Sequence, residues 1–153
     1  MKVGKPNHLV VFDLSEQRYA LRLSAVTRVV RMVAITPLPQ APSIILGVIN
    51  IQGRIIPVFH LRERFRLPER KSALSDHLII ARTSKRAVAL VADTVTTVVA
   101  RLDAEITEPE RILPGLNYVE GVVKLEDGLV FIHDLDTFLS VDEEEMLERA
   151  MSI

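Results

Sequence analysis

The chain has 153 residues, 48% of them apolar and 25% charged, with a formal net charge of −1. That balance fits one ordered domain, or two very small ones, and excludes a disordered chain. Near-neutral charge removes any global pull toward nucleic acid or anionic lipid, and the absence of cysteine removes disulfides and thiolate chemistry, which fits a cytosolic protein.

The N-terminal run MKVGKPNH has no apolar core of the kind a secretory signal needs. Met32 to Gly53 carries no formal charge and is long enough to span a bilayer. Pro37, Pro39 and Pro42, together with Thr36, Gln40, Ser43, Asn50 and Gln52, break it as a membrane helix. A soluble protein is expected.

In chain order, β-branched and aromatic runs bounded by polar turns predict strands near Leu9–Leu14, Arg18–Leu23, Thr27–Val33, Ile44–Gln52 and Arg54–Leu61. Thr36 to Ser43 is a stiff, proline-bearing connection. The last two strands form a hairpin about Gln52-Gly53-Arg54, where Gly53 can take the positive φ of a two-residue turn. Pro57 has no N–H for a ladder, so its strand is expected at an edge or with a bulge. Leu67 to Asp76 reads as a polar bridge. Further strands are predicted near Leu78–Thr83, Ala87–Ala92, Val95–Ala100, Val119–Glu126 and Leu129–His133. From Ser140 to Met151 the pattern is helical, with Ser140 or Asp142 as cap and Met146, Leu147, Ala150 and Met151 as the apolar stripe.

The chain repeats itself. Residues 8–30 laid over 77–99 without a gap match at His8/His77, Leu9/Leu78, Ser15/Ser84, Ala20/Ala89, Leu21/Leu90, Val26/Val95, Thr27/Thr96, Val29/Val98 and Val30/Val99. The hairpin laid over residues 121–139 matches at Gly47/Gly121, Val48/Val122 and Leu61/Leu135, with its turn glycine moved by one, from Gly53 to Gly128. Two matches in the same order indicate a duplicated unit. The expected architecture is all-β: two packed five-stranded barrels, approximately residues 9–71 and 76–139, with a C-terminal helix over 140–151.

Catalytic signatures are weak. His8 and His77 recur through the duplication. His133 and Asp134 are adjacent on a strand and so point apart. Asp134 and Asp136 could share a face as oxygen ligands for a hard cation, with His133 nearby, but a solvated strand end is the commoner outcome. No catalytic, cofactor or metal residues are assigned. The segment Arg62-Glu-Arg-Phe-Arg-Leu-Pro-Glu-Arg-Lys71 supports a rival reading as a nucleic-acid-binding barrel, though only Phe65 is at hand for stacking. Most of the matched valines Val26, Val29, Val30, Val95, Val98 and Val99 are expected in the barrel cores, while the outward ones would line a groove between the barrels or pack the barrels together. Period two sends one of each Val–Val pair outward, and such a groove suits a partner helix.

The segment ILGVINIQGRIIPVFHLRERF, preceded by PLPQAP and followed by VALVADTV and EGVVKLEDGLVFIHDL, resembles the CheW-like adaptor proteins of bacterial chemotaxis from about Leu9 to Leu139. The resemblance implies two SH3-like barrels and a non-enzymatic role, tying the cytoplasmic tip of a methyl-accepting chemoreceptor to the histidine kinase CheA of a two-component system. It implies a receptor groove at Val26, Val29, Val30, Val95 and Val98. It also implies a kinase interface at Ile44, Val48, Asn50, Gln52, Gly53 and Arg54. No cofactor, nucleic acid or membrane insertion is implied, and the location is cytoplasmic, at membrane-associated receptor arrays. The chain reads as a stand-alone adaptor. It departs from the family where Gln52 replaces the usual turn arginine and Arg28 the usual glutamate after the groove valine. Both departures bear on partner choice, and with it on whether the output is flagellar chemotaxis or surface motility.

Overall fold

The computed structural model describes residues 5–71, 73–108, 118–126 and 128–152. Strands β1 (Asn7–Leu14), β2 (Gln17–Arg22), β3 (Val26–Arg31), β4 (Ile45–Ile51) and β5 (Arg54–Phe59) precede a one-turn helix, α1 (Leu61–Arg64). Strands β6 (His77–Arg82), β7 (Ala87–Ala92), β8 (Thr94–Arg101), β9 (Ile106–Thr107), β10 (Val119–Leu125) and β11 (Gly128–His133) lead to helix α2 (Val141–Met151). The all-β architecture with a C-terminal helix is as expected, and the repeat is visible in the strand order.

Sheet composition does not follow the two halves. One sheet runs β8-β1-β2-β11-β10-β9 and the other β3-β6-β7-β5-β4. Each unit lends its first hairpin to the sheet built from the other unit's remaining strands, so segments 9–71 and 76–139 interlock and are not separate barrels. The linkers explain this. Only Asp93 separates β7 from β8, too few residues for the two that a tight hairpin uses, so the chain runs on into the neighbouring sheet. Between β2 and β3 a 3-10 turn at Leu23–Ala25 does the same.

Interlocking buries the first hairpins on both faces, which is why β1 and β6 read as unbroken apolar runs. Leu9 and Val11 of β1 face a small core inside one sheet with Ala20, Val123 and Ile132. Leu78 and Ile80 of β6 face its counterpart with Ile49, Ile56, Val58 and Ala89. The alternate residues, Phe12, Leu14, Ile79 and Ala81, meet between the sheets in a third core that also holds Phe59, Phe138 and Leu147.

Pro57 is not at an edge, because β5 lies between β4 and β7. The β7 ladder begins only at Val58, so no partner on that side needs the missing N–H. The bridge Leu67 to Asp76 is more than a polar loop: Leu67 packs on the central core and Asp76 is buried.

In α2 the side chain of Ser140 accepts from the Glu143 N–H at 3.1 Å, while Glu143 accepts from the Ser140 N–H at 2.8 Å. This reciprocal cap satisfies two helix-end donors. Leu147 and Ala150 are the buried face, and Met146 of the expected stripe is largely outside it. Ser140→Ala is expected to cost about 1 kcal/mol, read as a lower urea midpoint with unchanged slope.

Candidate functional site

Strands β3 and β8 are matching edges, one of each sheet. Each carries a bulge at the same repeat position. The β3–β6 register passes from Val26↔Ala81 to Arg28↔Ile80, leaving Thr27 unpaired. The β1–β8 register passes from Val11↔Thr97 to Phe12↔Val95, leaving Thr96 over. The extra residue shifts the side-chain alternation by one, so that residues three apart across the bulge share a face. Val26 and Val95 both pack on the central core, and Val29 and Val98, at 39% and 50% exposure, open the same face to solvent.

Four of the five expected groove residues therefore share the inter-sheet side. Val30 does not. It packs inward on the core of Ile49, Leu78 and Ile80, as Val99 does on that of Leu9 and Val123. Assigning Val30 to the groove is corrected by the alternation of the strand. Arg28 is exposed on the same edge.

At the β4–β5 hairpin, Gln52 (φ 51°) and Gly53 (φ 83°) both lie in the left-handed region, as a type I′ turn requires. The Asn50 side-chain oxygen accepts from the Gly53 N–H at 2.8 Å and fixes the turn. Gln52, Gly53 and Arg54 are exposed, and Val48 is half-buried. Ile44 is corrected: at 1% exposure it belongs to the central core and offers nothing to a partner. Ile55, 54% exposed beside the turn, was missed because it looked like one more strand residue. Its repeat counterpart Leu129 is equally exposed, and that pairing was the available signal.

The basic segment is largely neutralised within the chain. Arg62 pairs with Asp93 at 2.9 Å, Arg64 with Glu143 at 2.6 Å, and Arg70 with Asp76 and Asp93 at 2.8 and 2.5 Å. Phe65 is stacked on Tyr19 at 4.9 Å and lies 4.6 Å from the His133 ring. Neither the charges nor the ring are disposed toward nucleic acid, and that rival reading has no support. The suggested cation ligands are also occupied: Asp134 accepts from the Asp136 N–H at 3.0 Å, and Asp136 from the Ser84 N–H and hydroxyl at 2.7 and 2.8 Å. His133 is buried among aromatic rings. Among the described residues no group of three or more His, Cys, Asp or Glu side chains could hold a metal ion, and no helix is long and apolar enough to cross a membrane.

Two interlocked sheets displaying matched apolar edges are the architecture of a family of adaptor domains, whose members are non-catalytic scaffolds. The CheW-like domain model matches residues 8–143, and the chain belongs to that family, acting as a coupling adaptor of chemotaxis. It is 26% identical over 145 residues to the chemotaxis protein CheW of Treponema pallidum (strain Nichols), covering 91% of this chain and 85% of that one. It is 28% identical over 140 residues to the chemotaxis protein CheW of Thermotoga maritima, covering 88% and 89%. The crystal structure of the scaffolding protein TtCheW from Thermoanaerobacter tengcongensis superposes with a TM-score of 0.83 at 34% identity, covering 93% of this chain and 98% of that one.

Proposed function

We propose that this chain couples the cytoplasmic tip of a helical chemoreceptor to a CheA-type histidine kinase, at receptor arrays on the cytoplasmic side of the membrane. The observation that carries the reading is the matched pair of edge strands. Val26 and Val29 on β3, with Val95 and Val98 on β8, present apolar side chains on the side of the core the two sheets share. Such a surface takes the apolar stripe of an amphipathic helix, read as anchors one helical turn apart.

The kinase regulatory domain docks at the β4–β5 hairpin through Val48, Asn50, Gln52, Gly53 and Arg54, to which exposed Ile55 is added. Gln52 and Arg28 set partner choice, one at each surface. Co-sedimentation with receptor fragments and with the kinase regulatory domain tests the whole reading: binding to neither, where a related adaptor binds both, overturns it.

Val29→Asp separates surface from core. Val29 is 39% exposed, so the variant should fold. A carboxylate facing a desolvated helix is expected to weaken receptor binding by about 2 kcal/mol, roughly thirtyfold, with kinase binding unchanged. Titration calorimetry with each partner reads both, and equal receptor affinity in variant and parent removes Val29 from the groove.

A further inference from the structure

One ionic cluster gathers four junctions of the chain. Asp93, the single residue between β7 and β8, accepts from the Ser15 N–H at 2.9 Å and donates its own N–H to the Asp13 carbonyl at 2.9 Å. Its other carboxylate oxygen receives Arg62 at 2.9 Å and Arg70 at 2.5 Å. Arg62, entering from α1, also donates to the Ser15 hydroxyl and to the Pro68 carbonyl. Arg70 goes on to Asp76 at 2.8 Å, and Asp76 is 3% exposed. Asp76 stands directly before β6, and its carbonyl accepts the Met32 N–H at 3.3 Å, just past the end of β3.

The path therefore runs from the root of β8, through Asp93, Arg70 and Asp76, to the end of β3. Those are the two strands that carry the groove valines, and they lie in different sheets. Among the described residues the second repeat shows no equivalent bridge. Arg62 falls at the position of Asp136 there, and Asp136 holds Ser84 alone in the place of Ser15. Half of the cluster is thus a turn clasp made in both repeats with opposite charge. The Arg70 arm, reaching both groove strands, is seen in the first repeat alone among the described residues.

We infer that Arg70, bridging Asp93 and Asp76, is a positioning residue that sets β8 against β3 and so fixes the width of the groove between them. The inference rests on the proposed receptor groove for its consequence, but not for its geometry. The hydrogen bonds of Arg70 go to Lys71, Asp76 and Asp93 and not to the groove valines or the β4–β5 turn, so its loss should alter groove geometry without removing a partner contact. Its side chain is 40% exposed, so its pair with Asp93 contributes little to stability, whereas Asp76 is 3% exposed and its loss of a partner lowers the melting temperature without abolishing the fold.

Because the chain has no cysteine, paired spin labels can be placed at will. Arg31→Cys and Ala100→Cys, exposed counterparts on β3 and β8, report the inter-strand distance by pulsed electron resonance. The labelled parent should give one narrow distribution. Adding Arg70→Gln should broaden or shift it at temperatures well below the variant's melting point, and Arg70→Lys, which keeps the charge, should restore it. In unlabelled protein, Arg70→Gln should weaken receptor-fragment binding roughly threefold or more, within the range known for coupling residues outside a contact, and leave kinase-domain binding alone. An unchanged distance distribution in Arg70→Gln overturns the inference. If the parent binds no receptor fragment, the proposed function falls, while the distance measurement still decides the role of Arg70.

Discussion

Gly47→Ala is expected to destabilise the protein by roughly 3 kcal/mol, the upper end of the usual cost of overpacking. A methyl there would overlap the Thr36 carbonyl oxygen and stand 2.8 Å from the Thr36 carbonyl carbon and 2.9 Å from Ile35 Cγ2. The obstruction is backbone, held by a two-way bridge in which Thr36 N–H donates to Val48 at 2.9 Å and Val48 N–H donates back at 2.8 Å. Relief requires breaking that bridge, which seats the proline-bearing connection against β4.

Gly121, the repeat counterpart, is the control. There the added methyl meets the Ile106 Cγ2 methyl at 2.6 Å, and although Ile is stiff at χ1, it sits on the two-residue edge strand β9, which gives more easily than the bridged Thr36 carbonyl. Gly121→Ala should cost about 1 kcal/mol, near the lower end of the overpacking range. Urea denaturation of both variants reads the difference. Equal losses would show that the crossing backbone at Thr36 yields as easily as the edge strand β9.

This glycine pair also shows how far the sequence could be read. Gly47/Gly121 was found as an identity between units. In the structure each follows a register shift, Ile45 to Gly47 and Val119 to Gly121, and each lies under a crossing segment that bridges Val48 or Val122. Residue type and order survive duplication, so strands and equivalences were legible. Hydrogen-bond partnership leaves no such trace, because a strand buried on both faces has the same apolar run whichever neighbour it pairs with.

The exchange of hairpins between sheets was therefore hidden, as were the bulges at Thr27 and Thr96. Both bear on the proposed receptor surface. The bulges aim Val26 and Val29, and Val95 and Val98, to one side, whereas period two alone could not say which of Val29 and Val30 faces a partner. Ile44 misled in the opposite sense. It adjoins an exposed hairpin in sequence, yet its carbonyl accepts the His60 N–H at 2.5 Å and its side chain is in the core. Arg62 to Lys71 read as a solvated charge run because its partners Asp93 and Glu143 are distant in sequence.

The second large effect concerns His133, whose counterpart in the first unit is Phe59. The duplication thus puts an ionisable ring where the other unit keeps an apolar one. His133 is 6% exposed, and its ring centroid lies 5.2 Å from that of Tyr19, 4.6 Å from Phe65 and 6.0 Å from Phe138. Neither ring nitrogen makes a well-formed hydrogen bond within the described residues. Burial pushes its pKa down to about 4, and the nearby Tyr118 backbone offsets only part of that.

The folded protein therefore holds His133 neutral, while the unfolded chain protonates it below the ordinary value of 6.5. Stability from this site is fully present above pH 6.5, falls as pH drops from there toward 4, and levels off below. A depression of that size corresponds to about 3 kcal/mol across the window. Asp93 and Glu143 oppose a clean reading. Burial works against their charge, yet hydrogen bonds and arginines hold both carboxyls below their usual range, so they too lose stability in acid.

Their contribution is common to parent and variant, which isolates the histidine. His133→Phe, borrowing the residue of the first unit, should bring the stability at pH 7 and pH 4.5 closer together by roughly 2 to 3 kcal/mol relative to the parent. Chemical denaturation at a series of pH values measures this. Parallel profiles for parent and variant would mean that His133 protonates in place, and that its aromatic surroundings open to water without loss of the fold.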